Sequence, residues 1–186
     1  MNNAIINEIK IELYNYINSH INNISRPIDF HYYLQMHIAA LARMYGYRSI
    51  IEYHIPKGNT FSKFIDVVWV DKYKNIAVAI EIDSCLRTKS IKKLYNINAE
   101  NKIWVLYCNN LYTYEFDNLM SKYNKNKEIN IIYLGAIRQC LRKRLIGKNK
   151  IENINLPAWE EITGINSDFF DEEQLFIDTA NRTIFE

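Results

Sequence analysis

Asp66 and, fifteen positions later, the run Glu81-Ile82-Asp83 put three carboxylates into one short stretch, FIDVVWVDKYKNIAVAIEID. Both ends of that stretch read as strands rich in β-branched and aromatic residues. Side chains along a strand alternate between faces. Over 76 to 83, one face carries Ile76, Val78, Ile80 and Ile82, and the other Ala77, Ala79, Glu81 and Asp83. The first is a core face. The second sets two acids beyond two small residues, which leaves room for something bulky to approach. If 64 to 70 pairs with 76 to 83 as a hairpin, the start of one strand lies beside the end of the other, and Asp66 sits close to Glu81 and Asp83. Clustered carboxylates repel and are costly unless a cation or a proton joins them. Mg2+ or Mn2+ is the usual remedy, held by one or two carboxylates, waters and phosphate oxygens. Such an ion suits phosphodiester hydrolysis. The plainer alternative makes these acids solvated strand ends or partners of nearby lysines. The placed Asp66 before the pair and a helix after it favour the metal site.

The elements that must position these acids can be read from periodicity. Residues 4 to 21 form an amphipathic helix with Ile5, Ile9, Leu13, Tyr16 and Ile17 on one stripe. Ser25-Arg26-Pro27 breaks it. A second helix over 28 to 45 carries Leu34, Ile38, Leu41, Ala42 and Tyr45, and Gly46 ends it. Strands follow at 48 to 55, 64 to 70 and 76 to 83. Then come a helix at 88 to 98 with Ile91, Leu94 and Tyr95 inward, a strand at 103 to 107, a helix at 113 to 123, a strand at 129 to 134 and a helix at 136 to 147. Successive strands without a helix between them are expected antiparallel, and the later helical crossovers imply a parallel part. The expected fold class is α/β, a mixed sheet flanked by helices.

Composition sets broad limits. The 186 residues suit one domain with a small appendage, and 48% hydrophobic residues suffice for a core. The formal net charge of +2 does not announce a nucleic-acid binder. No apolar run reaches the roughly 18 residues of a membrane span, so no membrane association is expected. The first residues lack the pattern of a secretory signal. Three cysteines without metal-type spacing point to a reduced, cytoplasmic setting.

The pattern of Asp66, Glu81 and Asp83 within this element order resembles the PD-(D/E)XK nuclease superfamily, which includes restriction endonucleases and Holliday-junction resolvases. The resemblance covers about 28 to 108, from the helix before the sheet to the strand Ile103-Trp104-Val105-Leu106-Tyr107. It implies a restriction-endonuclease-like αβββαβ core, a Mg2+-dependent (or Mn2+-dependent) endonuclease acting on DNA, branched or structured DNA included, and a homodimer. On that reading residues 1–25 are a helix packed on the core, 26–135 the nuclease-like core, and 136–186 a basic helix with an acidic, aromatic cap. Asp66 and Glu81 match the family's metal ligands, and Ile65 stands at its variable proline.

Asp83 stands where the family usually has lysine, the residue that orients or activates the attacking water. It is expected as a third metal ligand. The missing positive charge is then expected from the following helix, with Lys89, near its start, as the catalytic lysine. Lys92 and Lys93 read as a solvated face. The alternative is a catalytically inactive nucleic-acid-binding or regulatory protein on the same fold, and beyond that an unrelated α/β domain. His31, by position on the second helix, and Glu52, on the first strand, are possible additions to the site. His37 reads as a partly exposed structural histidine. Lys57 and Lys63 flank the loop into Asp66 and are candidates for phosphate contacts. Arg142, Lys143 and Arg144 lie in AIRQCLRKRLIGKNK, a basic segment without acids that could neutralise a DNA backbone. The tail from 160 to 173 has six acids among aromatic residues and reads as an ordered cap or dimer contact.

Overall fold

The computed structural model describes residues 3–20, 27–55, 64–111, 113–135 and 137. Lys57, Lys63, Arg142, Lys143 and Arg144 and the acidic tail lie outside the described residues. Among the described residues, nine elements follow in the order α1 (Asn3–His20), α2 (Pro27–Met44), β1 (Arg48–His54), β2 (Phe64–Val70), β3 (Ile76–Asp83), α3 (Thr88–Asn96), β4 (Asn101–Leu106), α4 (Tyr114–Tyr123) and β5 (Ile129–Tyr133). The strands form one sheet in the order β1-β2-β3-β4-β5. The first two pairings are antiparallel and the last two parallel, so the fold is α/β with a mixed sheet, as the connection lengths require. Among the described residues, no helix is long and apolar enough to cross a membrane.

Helices cover both faces. On one, Ile5, Ile9, Leu13 and Ile17 of α1 and Leu34, Ile38 and Leu41 of α2 pack on Val67, Trp69, Ile80, Ile82, Ile103 and Val105. The Tyr14 hydroxyl donates to the Tyr133 carbonyl at 2.6 Å and so fastens α1 to β5. On the other face, Ile91 and Leu94 of α3 and Leu119 of α4 pack on Val68, Ala79, Trp104 and Leu106. The space beside the small residues of β3, expected to admit a bulky group, is partly filled: Ala79 belongs to this second cluster. Tyr95, expected inward, is 55% exposed.

Local chemistry explains where the helices stop. After α2 the Tyr47 N–H donates to the Ala42 carbonyl at 2.9 Å and the Gly46 N–H to the Arg43 carbonyl at 3.0 Å. This paired closure needs a left-handed residue, and Gly46 supplies it with φ +76°. At the start of α4 the Thr113 hydroxyl accepts from the Phe116 N–H at 3.2 Å.

The contact between α1 and α2 makes the fold sensitive to acid. Tyr16 stacks on His20 and on His37, with ring centroids 4.5 and 4.1 Å apart. His37 is buried rather than partly exposed. Burial lowers its pKa from 6.5 to about 4; nearby His20 adds to this, and a hydrogen bond to the Glu12 backbone opposes it. The unfolded chain therefore binds a proton here at a pH where the folded chain does not. The His37 contribution is complete above about pH 6.5 and is lost as pH falls towards about 4. At roughly 1.4 kcal/mol per pH unit, wild type should lose about 2 kcal/mol more than His37→Gln between pH 7 and pH 5. Urea unfolding of both proteins at both pH values checks this, and equal losses would contradict it.

Candidate carboxylate and lysine site

Hairpin pairing brings the acids together. The β2–β3 register pairs Val68 with Ala79 and Val67 with Ile80. Its continuation sets Asp66 across from Glu81. There the Asp66 carboxylate takes over the sheet bond: its Oδ2 accepts the Ile82 backbone N–H at 2.7 Å. His31, on α2, stands with Nε2 3.9 Å from Asp66 Oδ1.

Glu81 is 1% exposed. Its Oε2 lies 2.6 Å from Lys93 Nζ, and that ammonium also donates to the Phe64 carbonyl at 2.7 Å. Among the described residues, its other oxygen, Oε1, is buried with no hydrogen-bond partner. Burial first, then the neighbouring Asp66, push the Glu81 carboxyl well above the usual carboxylate range, against the pull of Lys93. Burial also raises Asp66, opposed by His31, the Ile82 N–H and Lys93. Two neighbouring acids that both hold protons more tightly than usual form a site that favours a cation or a proton.

The lysine that meets these acids is Lys93, not Lys89. Lys89 is exposed on α3, whereas Lys93 is only 9% exposed. The reason lies in the helix period. Ser90, Lys93, Leu94 and Ile97 fall at i, i+3, i+4 and i+7 and form the buried stripe. A lysine inside an apolar stripe must carry its ammonium to a partner, and Glu81 is there. That position is the signal in the sequence, and it overrides the expectation of a solvated face for Lys93.

Asp83 shares the strand face of Glu81 but is otherwise engaged. Its Oδ2 accepts the Trp104 indole N–H at 2.8 Å, and its Oδ1 lies 3.3 Å from Arg87 Nε. A carboxylate with both oxygens occupied does not fit the expected third ligand. Among the described residues, no group of three or more His, Cys, Asp or Glu side chains is placed to hold a metal ion. Asp66 and Glu81 still fit a divalent cation of the Mg2+ kind, which takes one or two carboxylates and completes its shell with water and phosphate. The buried, unpartnered Oε1 is the atom that such an ion would satisfy.

Glu52 lies opposite Asp66 across β1 and β2, between the pairs Ile51–Val67 and Tyr53–Ile65. Its backbone is left-handed, φ +52°, a conformation costing a non-glycine residue on the order of 1 kcal/mol or more. Gln35, buried on α2 four residues after His31, donates to Glu52 Oε1 at 2.8 Å and to the Asp66 carbonyl at 3.0 Å. No local pattern in the sequence marks Gln35 as the tie between α2, β1 and β2.

The acids gather where β3 ends beside parallel β4. In open α/β sheets, ligands bind outside the carboxyl ends of such strands. Compared with protein-family models, curated proteins and solved structures, the chain matches none.

Proposed function

We propose that this protein is a metal-dependent nuclease that hydrolyses DNA phosphodiester bonds on a restriction-endonuclease-like fold. One observation carries the reading: Lys93, from the helix after β3, is ion-paired at 2.6 Å with a buried Glu81 that neighbours Asp66. This puts an ammonium beside two acids although the strand has aspartate at the family's lysine position. Asp66 and Glu81 would hold Mg2+ or Mn2+. Such an ion supplies Lewis-acid polarisation of a phosphate oxygen and a lowered pKa for bound water. Glu81 and the Phe64 carbonyl hold the Lys93 ammonium in place, and Lys93 offsets negative charge developing on the phosphate. The Ile82 N–H fixes one oxygen of the Asp66 carboxylate, and His31, 3.9 Å from the other, is placed to contact a phosphate.

A second reading, a nucleic-acid-binding protein on the same fold without catalysis, is favoured by the engaged Asp83 and by the depth of Glu81. Incubation with linear and branched DNA, with Mg2+, with Mn2+ and with chelator, separates the two. The nuclease reading expects cleavage with either ion and none with chelator. DNA binding without cleavage under every condition decides for the second.

A further inference from the structure

We propose that Gln35 is the positioning residue of Asp66: its side-chain amide, anchored on Glu52, fixes the place from which Asp66 presents its carboxylate to β3. This rests on the nuclease reading for the use of that carboxylate, but not for the coupling.

β1 and β2 lose their alternation at the same step. Ile65 and Val68 both pack on the α3 side of the sheet, with Val67 on the α2 side. Strict alternation would put residues three apart on opposite faces. β1 does the same, with Ile50 and Tyr53 on the α3 side and Ile51 on the α2 side. The two slips face each other, since the register passes from Ile51–Val67 to Tyr53–Ile65 with no pair at Glu52–Asp66. Across β2, the pairing with β3 ends at Val67–Ile80. Asp66 thus lies inside a strand yet forms no ladder pair with either neighbour. In β1 the slip falls on the left-handed backbone of Glu52, a conformation that persists in a non-glycine residue only where its surroundings hold it.

Side chains take over where the ladder stops, because strand N–H and C=O groups need partners. The Asp66 carbonyl accepts from Gln35 Nε2 at 3.0 Å, and the Ile82 N–H donates to Asp66 Oδ2 at 2.7 Å. The same Gln35 nitrogen donates to Glu52 Oε1 at 2.8 Å. An amide nitrogen carries two hydrogens, so both are engaged. Gln35 is 5% exposed, and turning its amide would leave buried donors unmet. His31, four residues earlier on α2, stands 3.9 Å from Asp66 Oδ1. One helix therefore meets Asp66 at two points, its carbonyl through Gln35 and its carboxylate through His31. A regular ladder would pair the same backbone groups without strain and would turn Asp66 onto the α3 side with Val68. The slip instead aims the carboxylate between α2 and the β3 main chain, and Gln35 is the side chain that holds both strands in it.

The test uses the full chain without metal and reads amide hydrogen exchange by NMR near neutral pH. Gln35→Met keeps the length of the side chain and removes both donors. The Ile82 N–H should then exchange about tenfold faster, as expected when one hydrogen bond loosens, while the amides of β4 keep their protection. Glu52→Gln leaves an acceptor for Gln35 and should keep Ile82 close to wild type. Glu52→Ala removes that acceptor and should move Ile82 in the same direction as Gln35→Met, by less. A merely structural Gln35 would speed exchange across the whole sheet in step with stability. That uniform loss in Gln35→Met, or wild-type exchange at Ile82 in both Gln35→Met and Glu52→Ala, overturns the proposal. Should Gln35→Met not fold, Glu52→Ala decides by the same signal. In the DNA cleavage assay, Gln35→Met should lower kcat about 10- to 100-fold and leave KM unchanged. Selective exchange at Ile82 in a chain whose wild type does not cleave keeps the Gln35 assignment and removes the nuclease reading. Wild-type cleavage with Ile82 unmoved in both variants does the reverse.

Discussion

Lys93→Met is expected to lower stability at pH 7 by about 3 kcal/mol, the usual cost of leaving one partner of a buried ion pair alone. Lys89→Met, on the exposed surface of the same helix, is expected to change it by less than about 0.5 kcal/mol. The contrast follows from what each lysine touches. Methionine preserves the apolar stem that packs in the α3 stripe, so the loss isolates the ammonium. Without it, Glu81 keeps no cation to offset burial and the push of Asp66, and its carboxyl rises further above the ordinary range. The sign then fixes the pH dependence. The folded variant binds a proton at Glu81 more tightly than the unfolded chain does, so its deficit grows as pH rises through the ordinary carboxylate range and shrinks on acidification. Urea unfolding of Lys93→Met relative to wild type should show a smaller gap at pH 5 than at pH 7.5. Lys93→Met/Glu81→Gln should recover much of the loss, because the unpaired charge is gone. On the nuclease reading, cleavage disappears in Lys93→Met and survives in Lys89→Met. Equal stability of the two single variants would sink the assignment of Lys93.

Much of the scaffold was legible in the sequence. The bounds of β2 and β3 coincide with their runs of β-branched residues, and the hairpin register that brings Asp66 to Glu81 follows from the short turn between them. Gly46 marks the end of α2 because one residue type alone adopts the needed φ without strain. The side chains around the acids were harder to read, for reasons of direction and competition. Alternation places Asp83 on the face of Glu81, but it carries no information on Trp104, the residue paired with Glu81 across a parallel ladder closed only by the α3 crossover. That indole and Arg87 occupy the carboxylate before a metal can. Nearness to the helix start favours Lys89, whereas burial of a helical side chain is set by its angle around the axis. Glu52 with its left-handed backbone and Gln35 with its two acceptors involve contacts among three elements, and no local pattern encodes them.

Asp66→Asn is expected to stabilise the metal-free protein while removing at least about 10²-fold of any cleavage, since even outer partners of metal ligands cost 10–100-fold. The two effects have one cause. Burial raises the Asp66 carboxyl despite the pull of His31, the Ile82 N–H and Lys93. The folded chain thus holds this proton more tightly than the unfolded chain, and ionisation above the ordinary carboxylate range subtracts stability. Asparagine is neutral and nearly isosteric, and its carbonyl oxygen can still accept the Ile82 N–H. It also relieves Glu81, whose carboxyl Asp66 pushes upward. A gain of about 1 kcal/mol corresponds to roughly 2–4 °C in a domain of this size. Mg2+ or Mn2+ should raise the melting temperature of wild type, because an ion bound only by the folded state stabilises it by mass action, and should leave Asp66→Asn unmoved. Scanning calorimetry of both proteins, with and without each ion, measures the stability and ion effects without turnover, and incubation with DNA measures the cleavage. If asparagine destabilises the chain and neither ion shifts wild type, Asp66 is a structural carboxylate that spends its charge on the β3 backbone. If the variant is more stable, blind to the ion and inactive, then this fold carries strain at Asp66 that serves the site, since a residue that only supported the sheet would be improved by the substitution at no cost in function.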